Sequence, residues 1–522
     1  MSIQRSFPSS LLKCSPARLS TDLRIVAVSF LLATSMFSAK ADPLFPDRGQ
    51  FFAHGHIVVT ESIYAGYASL ITPGVTILPT GVPATANGSY PYVFNNALAD
   101  SSFGITSPIY LLQLTRSGKF LSRLPVPTSL LTTSFSSKSE LAIHLSTEGT
   151  SLTFLGYVAP VNTLDVSNSN TPGHVDLSNP VTSIFQRAVG HVDVLGHVRA
   201  KPVNAYSGNN GRSVILSDWI YYMVGNAGNG TEKGAQNIVD NTGVQIINVF
   251  GGSDSTVVGE QQGIVGASKG YQYGYSVTQN GYPQDNSGKD DNFRGEAIFN
   301  KTLYVSKGSG GNGVNTVYQV GVAGALPTFA TGANTQISVL PGFSTTLAKS
   351  TTGTVYHPFG LWFANATTLY VADEGDGVLA NAATGYGGLQ KWILVTGQWQ
   401  LAYTLTSGLN LGKPYLVSGY PVGTNPATGV DWAPAADGLR NIAGKRNGDG
   451  TVTIYGITST VSGSGDQGAD PNQLVVITDN LSFTTEAEAS GETFKTLRTA
   501  ESGEVLRGVS FTPSEIPDSD DD

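Results

Sequence analysis

The sequence predicts an all-β protein, a single β-propeller of four-stranded blades, with six blades, or seven if a degenerate one hides in the long inserts. Three observations predict it. Related units begin at Leu141, Arg212, Arg294, Phe359, Arg440 and Arg507. Their second residues, Ala142, Ser213, Gly295, Gly360, Asn441 and Gly508, lie 71, 82, 65, 81 and 67 residues apart. Such a period marks an architecture in which no unit buries its apolar surface alone. Within each unit, short apolar runs alternate with turn residues, four strands to a repeat. Composition agrees, with 62 glycines and only 13% charged residues in 522. Tight turns need positive φ, whereas long amphipathic helices need more Glu, Lys and Leu.

The stretch His357-Pro-Phe-Gly-Leu-Trp-Phe-Ala-Asn-Ala-Thr-Thr-Leu-Tyr-Val-Ala-Asp-Glu-Gly-Asp-Gly377 shows the unit most clearly: first strand, polar turn, second strand, acidic glycine-rich loop. Second strands follow at Ser151-Leu-Thr-Phe-Leu155, Trp219-Ile-Tyr-Tyr-Met-Val224, Thr302-Leu-Tyr-Val305, Thr368-Leu-Tyr-Val371 and Thr451-Val-Thr-Ile-Tyr455. Third strands read at Gly243-Val-Gln-Ile-Ile-Asn-Val249, Thr316-Val-Tyr-Gln-Val320, Leu389-Gln-Lys-Trp-Ile-Leu394 and Gln473-Leu-Val-Val-Ile477. Gln336-Ile-Ser-Val-Leu340 and Trp399-Gln-Leu-Ala-Tyr403 read as fourth strands. β-Branched and aromatic residues fill these runs, as a pleated surface favours.

The ends of the chain complete the pattern. The Arg507 unit has a first strand and stops, while His56-Ile-Val-Val-Thr-Glu-Ser62 reads as a second strand without a first. Residues 107–114 and 118–124 supply a third and fourth. Pairing the N- and C-terminal strands closes the ring and removes its open edges.

Residues 1–41 read as a signal peptide, 42–513 as the propeller and 514–522 as a disordered acidic tail. Arg18 and Arg24 precede the apolar run Ile25-Val-Ala-Val-Ser-Phe-Leu-Leu-Ala-Thr-Ser-Met-Phe37, and Ala39-Lys-Ala41 places small residues at the cleavage spacing. The expected product starts at Asp42 and is secreted, to periplasm or exterior; an uncleaved N-terminal anchor is the alternative. Cys14, the one cysteine, precedes the cut, so disulfides and thiol nucleophiles are excluded from the mature chain. No further stretch is long and apolar enough to span a bilayer. A net charge of −9 without a basic cluster excludes a nucleic-acid partner, because phosphate neutralisation needs grouped Lys and Arg.

The strand rhythm, the His-Pro-Phe-Gly-Leu phrase at 357–361 and the Thr-Leu-Tyr-Val phrases at 302–305 and 368–371 resemble the NHL, YVTN and gluconolactonase-like propellers. The resemblance covers nearly all of the mature chain and is architectural, with no catalytic motif to carry across. It implies first strands lining a central channel. Their N-terminal ends meet the C-terminal ends of second strands on one face.

That face would gather Arg212, Arg294, Arg440, Arg507 and His357 from first-strand entries, and Glu61, Asn226, Lys307, Asp373 and Glu374 from second-strand exits. Guanidinium forks suit carboxylate, sulfate or phosphate, so one reading is a site for an anionic small molecule or saccharide. In the other, each arginine bridges to an acid of the neighbouring blade. Asp373, Glu374 and Asp376 are candidate ligands for a Ca²⁺ ion, a hard cation wanting oxygens; the alternative is turn chemistry. A histidine metal centre on the channel would need an inward-facing histidine from each of several blades. His144 lies in a first strand, His357 just ahead of another, and His54 and His56 flank the N-terminal strand, whereas His191 and His197 lie in an outer strand and connection; the alternative is surface or satisfied core histidines. No Gly-x-Ser-x-Gly elbow or phosphate-binding loop occurs.

Three functions stay open: a binder of an anionic or carbohydrate ligand, with aromatic residues in the inserts as platforms; an enzyme on the same face; and a structural or partner-binding envelope protein. The enzyme would be a metal-assisted lactonase-like hydrolase or a polyuronate lyase, with His357 and Glu296 as the catalytic candidates. Oligomeric state has no signature in the sequence.

Overall fold

The computed structural model describes residues 51–66, 71–77, 83–92, 104–177, 179, 181–228, 241–259, 290–465 and 467–515. Among them, six four-stranded antiparallel sheets form the blades of one ring. Blade 1 runs His144–Leu145, Ser151–Tyr157, Arg187–Asp193, Val198–Val203 from axis to rim, and blade 2 Gly211–Ser217, Ile220–Gly225, Gly243–Asn248, Thr256–Val258. Blade 3 is Gly295–Phe299, Thr302–Lys307, Thr316–Val320, Ile337–Val339, and blade 4 Pro358–Asn365, Thr368–Asp373, Gly388–Val395, Gln398–Leu405. Blade 5 is Ala435–Arg446, Thr451–Val461, Gln473–Asn480, Lys495–Thr499.

Blade 6 is assembled from both ends of the chain, as Glu504–Phe511, Ile57–Ile63, Ile109–Leu114 and Phe120–Pro125. Ile57 pairs with Phe511 and Val59 with Val509, and a bulge follows before Glu61. Closure thus rests on a strand pairing between residues some 450 apart in the chain.

The core lies between blades, and period-two alternation distributes each strand's side chains to two neighbours. Ile57 and Val59 join Tyr455, Ile457 and Leu474 of blade 5, while Val58 joins Leu152, Phe154 and Val192 of blade 1. Further apolar layers join blades 1 and 2, 2 and 3, 3 and 4, and 4 and 5, which completes the circle. Near the axis the inner strands touch backbone to backbone. A Cβ at Gly360 would lie 2.6 Å from Arg440 O, and one at Gly508 would lie 2.5 Å from Leu141 O.

Three local expectations are corrected. The first strand of blade 1 is only His144–Leu145, because Leu141 takes φ 62° and breaks the extended run. Trp219 belongs to the first hairpin turn of blade 2, at φ 69°, and the second strand starts at Ile220. Arg440 and Arg507 sit inside the strands Ala435–Arg446 and Glu504–Phe511, not at their entries.

The insert at 407–436 is ordered and buries Tyr420 and Trp432. Most of the 251–291 insert and much of 66–102 lie outside the described residues, as do residues 1–41 with Cys14, Asp466, and 516–522 of the acidic tail. Ser514 N donates to Gly149 O at 2.9 Å. Among the described residues no helix is long and apolar enough to cross a membrane.

Candidate functional site

The blade connections deliver a cluster of charges to the entry end of the inner strands. Arg212 opens blade 2 and Arg294 immediately precedes blade 3; both converge on the Ser139 hydroxyl in the turn ahead of blade 1. Arg212 Nε donates to Ser139 Oγ at 3.1 Å and Arg294 Nη1 donates to it at 2.8 Å. Arg212 Nη1 also donates to Phe293 O at 2.9 Å. Both side chains are buried, as is Ser139. Burial, then the Arg294 charge, hold the Arg212 guanidinium well below its ordinary range, against the pull of Tyr157, Glu140 and Tyr206.

Lys307, at the exit of the second strand of blade 3, extends the group. Its ammonium donates to Asn315 Oδ1 at 2.9 Å and Ser309 O at 3.2 Å. Burial and the Arg294 charge bring it down to about 7, with Asp290 and Asp291 opposing.

Glu374 anchors the other side. Arg440 Nε donates to Glu374 Oε2 at 3.1 Å, and Lys138 Nζ lies 3.5 Å from Oε1. Burial pushes this carboxyl up, but Lys138, Arg440 and Arg294 together outweigh it and bring it down to about 2. Lys138 Nζ also donates to Gln467 Oε1 at 2.9 Å. Arg440 Nη1 donates to Gln467 O at 3.2 Å, while Nη2 is buried without a hydrogen-bond partner among the described residues.

The arginines therefore do not form one open ring. Arg212 and Arg294 meet, Arg440 bridges to Glu374 of the preceding blade, and Arg507 is held apart, its Nη2 donating to Phe135 O and Gly468 O. Glu61 leaves the face altogether. Its carboxylate lies between the outer strands of blades 5 and 6, bonded by Arg123 and Arg498.

The three carboxylates considered for Ca²⁺ have separate occupations. Asp373 Oδ2 accepts from His357 N at 2.9 Å and Gln390 Nε2 at 3.0 Å, and Oδ1 accepts from Gly375 N at 3.0 Å. Asp376 is exposed and accepts from Val378 N at 2.8 Å and Asn381 Nδ2 at 2.6 Å. Glu374 is the ion-paired partner above. Among the described residues no three His, Cys, Asp or Glu side chains gather as a metal cluster. Asp449 likewise serves its turn, accepting from Thr451 N at 3.1 Å.

His357 is half-buried at the mouth. Burial lowers its pKa; Glu374 and Asp376 act upward on it, and Lys138 and Lys307 downward. Glu296 lies deeper. Its carboxyl is buried, and burial raises it far above its ordinary range, opposed by the nearby Ser213 hydroxyl. The Ser213 hydroxyl is 2.8 Å from His144 Nε2, on the inner strand of blade 1.

Lys138, Ser139 and Asp437 escape a sequence reading. Lys138 and Ser139 lie in a turn before a strand whose own unit starts without a basic residue. Asp437 lies on the inner strand of blade 5, where burial brings its carboxyl up to about 7 while Gly377 N donates to it at 2.8 Å. The insert aromatics expected as platforms pack on one another instead. Tyr420 packs at a tilt against Tyr90 and edge-to-face against Trp432, with centroids 5.9 and 6.2 Å away, and the Tyr420 hydroxyl donates to Asp470 Oδ1 at 2.8 Å.

No protein-family model matches the chain, and no curated protein matches it. Among solved structures it is similar to a chain of a nidogen/laminin complex, at 10% identity over 79% of this chain and 98% of that one, with TM-score 0.34. It is similar to puromycin hydrolase at 11% identity over 84% of this chain and 54% of that one, with TM-score 0.27. An ulvan lyase, a polysaccharide lyase, is similar at 11% identity over 79% of this chain and 94% of that one, with TM-score 0.28. These are likenesses of fold alone.

Proposed function

We propose that the entry face binds an anionic small molecule or the acidic unit of a saccharide. The observation that carries this reading is the burial of Arg212 beside Arg294 on one serine hydroxyl, with Lys307 within electrostatic reach. Two like charges removed from water repel; Glu140 acts against this on Arg212 and Glu374 pairs electrostatically with Arg294, and an anion accepting paired N–H bonds would add to that offset. Half-buried Lys138 and His357 stand at the mouth, where a carboxylate, sulfate or phosphate would first be met.

Calorimetric titration with glucuronate and galacturonate oligomers tests the reading. Arg212→Met and Lys138→Met are expected to weaken binding at least tenfold, with melting temperature little changed for Lys138→Met. If Arg212→Met lowers the melting temperature and no uronate, sulfate or phosphate binds the wild type, the arginines only stitch blades together. That structural alternative draws on the bonds of Arg440 and Arg507 to neighbouring segments.

A catalytic use of the face would place His357 as proton acceptor, between the acids and lysines that surround it. His357→Asn would then abolish turnover of a uronate polymer while leaving its affinity intact. Residues 1–41 are further proposed to be a removable export signal. Edman sequencing of the exported protein is expected to begin at Asp42.

A further inference from the structure

We infer that the opposite end of blade 2 carries a separate carbohydrate-stacking site, built from Trp219 and Phe250, for the pyranose ring of a neutral saccharide. The two rings are 66% and 68% exposed and stack on each other with centroids 5.7 Å apart and planes 30° from parallel. Among the described residues no other Phe, Tyr or Trp is as exposed: Phe120 and Tyr386 reach 51%, and Trp392, Trp399 and Trp432 are each under 7% exposed.

The turn beneath the indole is unsuited to it. Asp218 and Trp219 take φ 46° and 69° between the paired residues Ser217 and Ile220. A two-residue turn with both φ positive favours glycine at its second position, and a bulky residue there is strained. The corresponding tips of blades 1, 3, 4 and 5 carry Glu148-Gly149, Asn300-Lys301, Ala366-Thr367 and Asn447-Gly-Asp-Gly450. Blade 2 alone among these raises an indole. Neighbours hold the tip in place: Val249 N donates to Trp219 O at 2.9 Å, Asp218 N donates to Glu148 Oε1 at 3.0 Å, and Phe250 N donates to Asn248 Oδ1 at 2.8 Å.

The chemistry selects the occupant. An aromatic face is electron-rich and attracts the polarised C–H groups on the flat side of a pyranose. The carboxylates of Glu148 and Asp218 beside the tip can accept from sugar hydroxyls, and they repel the anionic headgroups that a membrane surface would present. The same two acids disfavour a uronate, so the expected sugar is neutral. The tip follows the seven-residue strand that begins beside Arg212, about 20 Å away along it, so this site is independent of the entry face.

The experiment is titration of the full chain with cellohexaose, xylohexaose and maltohexaose, read by tryptophan emission and calorimetry. At least one is expected to bind and blue-shift the emission. Trp219→Gly and Phe250→Ala are expected to weaken it at least tenfold, whereas Arg212→Met leaves it unchanged. Glycine relaxes the turn, so the melting temperature of Trp219→Gly stays level or rises, which separates lost binding from lost folding. The inference is overturned if none of the hexasaccharides binds, or if Trp219→Gly binds as the wild type does. It is also overturned if the pair instead mediates attachment to phosphatidylcholine vesicles or dimerisation.

Discussion

Replacing Lys391 by Met tests how far buried charge holds blades 4 and 5 together. Lys391 and Asp479 are both fully buried, and the ammonium lies 2.8 Å from Asp479 Oδ2. Lys391 Nζ also donates to Tyr403 Oη at 2.9 Å and to Asn480 O at 2.7 Å. The Asp479 carboxylate accepts from the Tyr370 and Tyr403 hydroxyls as well. Removing one partner of a buried pair leaves the other charge uncompensated, at about 3–5 kcal/mol. The two tyrosine donors that remain place this case towards the lower end. At about 2.1 cal/mol/K per residue, a chain of 522 residues unfolds with an entropy of about 1 kcal/mol/K, so the melting temperature is expected to fall by about 3–4 °C. Scanning calorimetry reads this. Lys391→Met with Asp479→Leu is expected to recover most of the loss, since an apolar pair of similar volume is often no less stable than the ions it replaces. A single variant that melts with the wild type, or a double variant worse than the single by its full amount again, would refute the reasoning.

Three further outcomes follow from individual sites. Arg440→Ala removes the bond from blade 5 to Glu374 and is expected to cost about 3 kcal/mol, read as a lowered denaturant midpoint; Lys138 stays beside Glu374, so a much larger loss would contradict this. Burial pushes the Asp165 carboxyl up from 3.8 to about 7 against the bond from Asn168. A carboxyl with a raised folded pKa contributes stability that is present below the unfolded pKa and lost as pH rises towards the folded one. Asp165→Asn, which also tolerates the positive φ of 53°, is therefore expected to be more stable than wild type by up to about 4 kcal/mol at pH 7.5, with the difference vanishing near pH 4; pH-dependent urea titrations would show it. Gly360→Ala places a methyl 2.6 Å from Arg440 O and is expected to cost about 1–3 kcal/mol through overpacking, and an unchanged melting temperature would mean the inner strands are not in contact.

What the sequence determined by itself is the architecture. Strand rhythm is local: Thr302-Leu-Tyr-Val and Thr368-Leu-Tyr-Val declare themselves by β-branched and aromatic residues between turn formers, and the structure places strands at Thr302–Lys307 and Thr368–Asp373. The incomplete units at each end imply the closing blade, because an unpaired first strand and an unpaired second strand need each other. Tertiary structure alone decided which charges meet. Four arginines at matching repeat positions looked equivalent, yet Arg440 lies inside a twelve-residue strand and pairs with Glu374, while Arg212 and Arg294 meet at Ser139. Side chains a blade apart are joined by the angle between sheets and by the turns ahead of each inner strand, and neither has a periodic signature. The same holds for Trp219, which reads as the start of a strand by residue type. It becomes an exposed tip only because the hairpin closes in two residues and the register of Ser217 with Ile220 leaves the indole outside the sheet.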